Sequence, residues 1–302
     1  MADHTVHLVD ASPYVFRAYF SLPDSIRTPA GQPINAAYGF ASFLIKLIAD
    51  ERPSHLAVAF DESLTTSFRN DLYPAYKAQR ELPPAELEAQ LGACRELAGA
   101  LGAATFADPV YEADDILATL VARALAGGHR AVVISGDKDL AQLVGERVEL
   151  FDFAREERLG PAEVEARFGC RPEQVADLLA LQGDPVDNIP GVPGVGKKTA
   201  CALLTAFGGL DDLYARLDEV PGLPLRGAAA LAVRLAEHRD LAFLSRRLAT
   251  VVRDMPLDGA LGGGLDALAF RGADPALVDP LFARLGFGRI RERIPRWRDE
   301  SP

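Results

Sequence analysis

Three short apolar runs, Val6–Val9, His55–Phe60 and Ala131–Ile134, each end at or just before an aspartate: Asp10, Asp61 and Asp137. The stretches between them, Ala36–Ala49, Pro84–Leu101 and Ala113–Ala126, carry apolar residues at helical spacing. Strands of this length alternating with helices predict an α/β layer around a largely parallel sheet. Open parallel sheets place ligand sites at the carboxyl ends of their strands. The three aspartates are therefore expected to share one rim.

After about residue 168 the pattern becomes all-helical: Pro172–Gln182, Lys197–Phe207, Asp211–Leu217 and Gly227–Arg247, joined by short Gly/Pro turns. A Gly-rich stretch, Gly259–Gly264, precedes a last segment with an Arg-rich tail, Arg289, Arg291, Arg293, Arg296 and Arg298, which reads equally as duplex contact or as a solvated amphipathic helix. The expected division is 1–168 for the α/β domain and 169–302 for the helical module and C-terminal segment.

Asp plus Glu number 43 against 32 for Lys plus Arg, a net charge of -11 that repels polyanions at long range and, taken alone, excludes nucleic acid. The three cysteines, Cys94, Cys170 and Cys201, are far apart with no C-x-x-C pair, which suggests neither a disulfide framework nor zinc and fits a reducing cytoplasm. The N-terminus carries Asp3 and Asp10 with no basic leader, and no run of 18 apolar residues occurs. Neither export nor a membrane span is expected.

Glu112, Asp114 and Asp115 open a helix, where acid also suits the helix dipole. Three-residue spacing puts Glu112 and Asp115 on one face and turns Asp114 partly away. Asp137-Lys138-Asp139 sits between a strand and a helix, with Asp139 at an N-cap place, and Asp184 and Asp187 flank a turn. Each group alone has a plain structural reading. Jointly, Asp10, Asp61, Glu112, Asp114, Asp115, Asp137, Asp139, Asp184 and Asp187 are nine carboxylates at converging places, tolerable only if protons or cations neutralise them. An all-carboxylate set points to Mg²⁺ or Mn²⁺ rather than zinc. Two such ions roughly 3.5–4 Å apart support in-line phosphoryl displacement.

Arg69, Tyr73, Tyr76, Lys77 and Arg80 fall on one face of a helix if Pro74 lies in its first turn and Pro83-Pro84 end it. The strip reads either as a solvated face or as a platform for a single strand. Gly191-Val192-Pro193-Gly194-Val195-Gly196-Lys197-Lys198-Thr199 imitates a phosphate loop, but Lys198 occupies the Ser/Thr place and no strand precedes it. What remains is a glycine hairpin whose N–H groups and following helix N-terminus grip a phosphate beside Lys197 and Lys198.

With these segments the chain resembles the 5′-nuclease family: the 5′→3′ exonuclease domain of bacterial DNA polymerase I, its stand-alone relatives and the flap endonucleases. The likeness runs from Val6-His7-Leu8-Val9-Asp10 with Tyr14 and Arg17-Ala18-Tyr19, through Tyr38-Gly39-Phe40, Phe60-Asp61, Ser67-Phe68-Arg69 and Tyr76-Lys77. It continues in Glu112-Ala113-Asp114-Asp115, Gly136-Asp137-Lys138-Asp139, Gly183-Asp184 and Asp187-Asn188-Ile189-Pro190-Gly191, and reaches Leu285-Gly286-Phe287. Ser135 stands where the family often has Thr. The resemblance implies a PIN-like, Rossmann-like, mostly parallel α/β sheet with helices on both faces, followed by a helix–turn–helix DNA clamp. It implies that the nine carboxylates are the metal site, with Asp115, Asp139, Lys77 and Arg80 catalytic. It further implies a helical gateway near 69–84 for single-stranded 5′ ends, and a potassium ion on the main-chain carbonyls of Leu181, Gln182, Pro190, Val192 and Val195. DNA contacts would fall on Arg17, Arg69, Tyr73, Tyr76, Lys77, Arg80, Gly194, Val195, Gly196, Lys197, Lys198 and Thr199.

The expected function is a Mg²⁺-dependent, structure-selective 5′→3′ exonuclease or 5′-flap endonuclease in primer removal or repair. It would be a cytoplasmic monomer acting on DNA with a single-stranded 5′ end or flap. The chain length leaves no room for a polymerase, which would be a separate partner. The alternatives are a PIN-type ribonuclease and a non-catalytic branched-DNA-binding protein. With two divalent ions on the nine carboxylates the net charge rises to about -7, so the acidity belongs partly to the proposed device itself.

Overall fold

The three strands expected from the sequence are central members of a larger sheet. The computed structural model describes residues 4–62, 66–257 and 264–298. Among them β1 (Thr5–Asp10), β2 (His55–Ala59), β3 (Ala104–Phe106), β4 (Arg130–Ile134), β5 (Val148–Asp152) and β6 (Glu157–Leu159) form one sheet in the order β3-β2-β1-β4-β5-β6. All pairings are parallel except β5 with β6 at the edge. β3 and β6 have three residues each, too few for a period-2 pattern to register in sequence.

Helices α1 (Ser12–Ser21), α2 (Asn35–Glu51), α3 (Phe68–Leu72), α4 (Ala85–Ala100) and α5 (Ala113–Ala126) lie between the strands in the chain. Then come α6 (Pro161–Phe168), α7 (Val175–Gln182), α8 (Lys197–Phe207), α9 (Leu210–Ala215), α10 (Ala228–Glu237), α11 (Arg239–Ala249) and α12 (Pro275–Leu285). Central β1 is buried on both faces, as parallel strands under helices are. Val6 and Leu8 enter a core shared with Ile116 and Leu120 of α5, whereas Val9 enters another with Phe40 and Leu44 of α2 and Leu97 of α4. That alternation is the strand period of two. The first core runs on through Leu179 of α7 and Leu203 of α8, so an unbroken apolar body holds the helical module to the sheet.

Three expectations are corrected. The single helix read over 227–247 is two, α10 and α11, broken at His238 (φ −110°, ψ 24°). The basic and aromatic strip is not one helix: α3 stops at Leu72, and turns follow. Tyr73 is extended (φ −148°, ψ 98°) because the ring of Pro74 disfavours a helical residue before it. The C-terminal segment does not continue the helical module, since Phe270, Val278, Phe282 and Ile290 return to the core of α2 and α4. Gly259–Gly263 of the glycine stretch lie outside the described residues, and Gly264 begins a 3-10 turn. The tail's Arg289–Arg293 form another, with Arg291 donating to Asp279. Among the described residues no helix is long and apolar enough to cross a membrane, and the three cysteines are free.

Candidate active site

The carboxyl ends of β1, β2 and β4 open on a cavity of about 400 Å³ lined by Asp10, Asp61, Glu112, Asp114 and Asp137. Ser12, Pro13, Phe16, Lys77, Arg80 and Glu81 complete the wall. Hydroxyls and amides at the strand ends set the carboxylates. Ser12 Oγ donates to Asp61 Oδ2 (2.6 Å), Ser135 Oγ to Asp10 Oδ2 (2.8 Å), and the Ala113 N–H to Asp61 Oδ1 (2.9 Å). Asp139 adjoins this group, its N–H donating to Asp137 Oδ1 (2.8 Å).

These carboxylates repel one another in a partly dry space. Burial, then the charge of Asp61, pushes Asp10 up to about 8 despite the Ser135 hydrogen bond. Burial and Asp137 push Asp139 up to about 8. Asp114 is raised well above the carboxylate range by burial, Asp137 and Asp10, and Asp137 is raised chiefly by burial. Asp139 Oδ1 is buried with no hydrogen-bond partner among the described residues. The cations in the wall, Lys77 and Arg80, are taken up by Glu112 and Asp187, so these carboxylates stay short of positive charge, and their all-oxygen donors fit a hard divalent ion. As the side chains stand, no three of them among the described residues close around a single point. An open acidic cavity suits ions that keep several waters.

The adjoining acids are paired within the protein. Glu112 accepts from Lys77 Nζ (2.7 Å), Arg69 Nη1 (3.0 Å) and the Tyr76 hydroxyl (3.0 Å). Burial pushes Glu112 up, but Lys77 and Arg69 outweigh it and hold the carboxyl below its usual range. Asp187 pairs with Arg80 (2.5 Å) and Lys77 (3.7 Å), and Asp184 with Lys138 (2.6 Å). The two loops are laced together: the Lys77 N–H donates to the Asp187 carbonyl (3.0 Å), and Asn188 Nδ2 to the Ala75 carbonyl (2.6 Å). Lys77 and Asn188 both take left-handed backbone to do so (φ 53° and 57°).

The 5′-3′ exonuclease N-terminal, resolvase-like domain matches residues 5–169, and the 5′-3′ exonuclease C-terminal SAM fold matches residues 170–275. The chain belongs to the 5′-3′ exonuclease family. It is 40% identical to DNA polymerase I of Bacillus caldotenax over 98% of its own length and 33% of that protein's, and 45% identical to DNA polymerase I of Pseudomonas aeruginosa over 85% and 28%. It thus spans about a third of the polymerases it matches. Its fold is that of the T5 5′-exonuclease with bound zinc (TM-score 0.65, 24% identity, covering 93% of this chain and 99% of that one). The same fold occurs in the bacteriophage T5 flap endonuclease solved with DNA and metal ions (TM-score 0.64, 23% identity, covering 93% and 99%). As a 5′-3′ exonuclease, the chain is a hydrolase acting on ester bonds.

Several residues of this 5′-3′ exonuclease lie elsewhere than the sequence suggested. Asp115, 0% exposed, accepts from Arg69 Nη1 and Nη2 (2.7 and 2.8 Å) and from the N–H groups of Val252 (2.8 Å) and Glu112 (3.2 Å). Four donors fill its four lone-pair positions, so none is left for an ion. As the three-residue spacing implies, Glu112 and Asp115 share a face and both accept from Arg69, while Asp114 turns away from them into the cavity; what the spacing did not show is that the shared face is the inner one for Asp115. Arg69, 2% exposed, also donates to the Leu248 and Thr250 carbonyls, and serves the interior rather than DNA. Tyr76 is buried with its hydroxyl committed to Glu112, Tyr73 packs half-buried on the first core, and neither offers an open ring face like a stacking platform. Arg17 is exposed in a neighbouring cleft with Tyr14, Lys46 and Phe153.

The clamp turn joins α7 to α8. Gly183 (φ 75°) and Gly191 (φ 64°) pack so closely that a Cβ on Gly191 would lie 2.2 Å from the Gly183 nitrogen. Leu181 and Gln182 close α7, and Pro190, Val192 and Val195 lie in the turn, with the Leu181 and Val192 carbonyls already accepting from the Val192 and Val195 N–H groups (2.9 and 3.0 Å). Val195 is buried as an anchor, Gly194, Gly196, Lys197 and Lys198 are exposed at the N-terminus of α8, and Thr199 is half-buried. Lys197 Nζ donates to the Arg167 carbonyl (3.0 Å). Sequence reasoning missed Ser12 and the orienting role of Ser135. The available signal was a hydroxyl within two residues of a strand-end or site aspartate.

Proposed function

We propose that the chain hydrolyses DNA phosphodiester bonds near a single-stranded 5′ end or at a 5′ flap, using Mg²⁺, replaceable by Mn²⁺. One observation carries this reading: a cavity at the strand ends lined by Asp10, Asp61, Asp114 and Asp137, with Lys77 and Arg80 in the same wall. Asp10, Asp61, Glu112, Asp114, Asp137, Asp139, Asp184 and Asp187 would hold the ions, with Ser12 and Ser135 fixing the orientation of two of them. Ions bound there supply Lewis acidity and positive charge to an in-line phosphoryl displacement. Lys77 and Arg80 place cationic donors against the non-bridging oxygens of the scissile phosphate, where negative charge accumulates. Asp115 is a positioning residue that fixes Arg69 and, through it, Glu112. The turn before α8 grips duplex phosphates by its exposed N–H groups and Lys198, independent of sequence. The Leu181, Gln182, Pro190, Val192 and Val195 carbonyls would hold K⁺ there.

The test is cleavage of a 5′-labelled flap duplex with Mg²⁺ and with EDTA. Mg²⁺-dependent release of short 5′ products is expected. Preferential cleavage of single-stranded RNA, or tight binding to the flap without cleavage, would overturn the reading.

A further inference from the structure

The acids at the site divide by counter-ion. Among the described residues Asp10, Asp61, Asp114, Asp137 and Asp139 make no ion pair with Lys or Arg, whereas Asp184 is held by Lys138 at 2.6 Å and Asp187 by Arg80 at 2.5 Å and Lys77 at 3.7 Å. Asp184 is only 2% exposed, and its other oxygen accepts the Val186 N–H (2.9 Å), so among the described residues Lys138 is its one ion-pair partner. The Lys138 side chain is 47% exposed and that of Arg80 38%, so both heads can swing into solvent without opening the core.

We propose that Lys138 is a resident counter-ion of Asp184 that must be displaced before a second divalent ion binds, and that it then passes to a phosphate of the DNA. The inference rests on the metal-dependent reading above. A first ion entering the basin of Asp10, Asp114 and Asp137 displaces no protein cation. A second ion at Asp184 and Asp187 competes with an ammonium and a guanidinium. The freed Lys138 and Arg80 then face the cavity mouth as unpaired cations, a state that a polyanion stabilises and bare solvent does not. Second-ion binding and DNA binding therefore favour one another, and by linkage the effect is reciprocal. Free enzyme carries one ion firmly, and the complete site assembles only on its substrate.

The experiment is Mn²⁺ binding to the full chain, followed by electron paramagnetic resonance and calorimetry, for the wild type, Lys138→Met and Lys138→Arg. Without DNA, Lys138→Met should tighten the weaker ion roughly tenfold, a size usual for coupling between sites, and leave the tighter ion unchanged. Lys138→Arg should behave as wild type. A flapped duplex with a hydrolysis-resistant linkage should tighten the weaker ion in the wild type and do so less in Lys138→Met. Unchanged or weakened binding of the second ion in Lys138→Met overturns the counter-ion role while leaving the metal-dependent reading intact. Wild type that takes up no Mn²⁺ sensitive to Asp114→Asn overturns both.

Discussion

Two acidic regions lie back to back on the first turn of α5 and are built on opposite terms. On the inner side Asp115 receives a bidentate guanidinium and two backbone amides, so every lone pair is closed. On the outer side Asp114 stands with Asp10 and Asp137 and, among the described residues, makes no ion pair with a cation of the protein; all three are raised chiefly by burial, with neighbouring carboxylates adding to it. The same amino acid, one position apart, is structural where the chain supplies its counter-ion and chemical where it does not. A paired carboxylate rigidifies, whereas an unpaired one stores repulsion that only a proton or an external cation relieves.

The largest effect is expected on the inner side. Arg69→Met leaves Asp115 charged and buried without its partner, which costs about 3–5 kcal/mol of stability, read from urea unfolding. Combining it with Asp115→Leu should recover most of that loss, because a well-packed apolar pair replaces a buried ion pair at little net cost. Wild-type stability in Arg69→Met alone would place Asp115 with the outer group and break the comparison.

On the outer side the signs reverse. Asp114→Asn should lower cleavage of a flap substrate on the order of 10²–10³-fold, the loss expected for one electrostatic stabiliser. Its unfolding free energy should rise by about 1 kcal/mol as repulsion is relieved. Activity and stability measured together decide the case: a variant that loses both marks Asp114 as structural. Ser135→Ala sharpens the same side more gently. It removes the hydroxyl that donates to Asp10 and accepts from the Asp137 N–H, and should weaken Mn²⁺ binding about tenfold with the fold retained.

The outer region was legible in the sequence and the inner one was not, for a physical reason. Asp10, Asp61 and Asp137 announce themselves because a strand end is a local pattern, and the edge of a parallel sheet is where such ends gather. The Arg69–Asp115 pair joins residues 46 apart, and its setting includes carbonyls 179 and 181 positions from Arg69, which no local spacing encodes. Helical arithmetic rightly set Asp115 beside Glu112, but it carries no information on the distant Arg69 that both accept from, and that cation turns Asp115 from ligand to structural partner. Pro74 was visible, but it was placed inside a helix that its own ring prevents at Tyr73.

The smallest effect expected is in pH dependence, and it separates the regions without mutation. Free of divalent ions, Asp10 and Asp139 titrate near 8 in the folded chain and near the ordinary 3.8 when unfolded. Between those values the folded protein holds protons that the unfolded chain has released. Stability therefore falls as pH rises from about 4 to about 8 and levels off above, since the unfolded state binds fewer protons across that window. Arg69 stays charged throughout and contributes no slope. A divalent ion replaces the held protons, so filling the site with Mg²⁺ at pH 7 should release about two protons, seen as a binding heat that changes with the ionisation enthalpy of the buffer. The same titration on Asp10→Asn should show less release, and on Arg69→Met with Asp115→Leu the full wild-type value. Equal heats in all buffers would mean that the outer carboxylates are already ionised, with repulsion too weak to set them apart from Asp115.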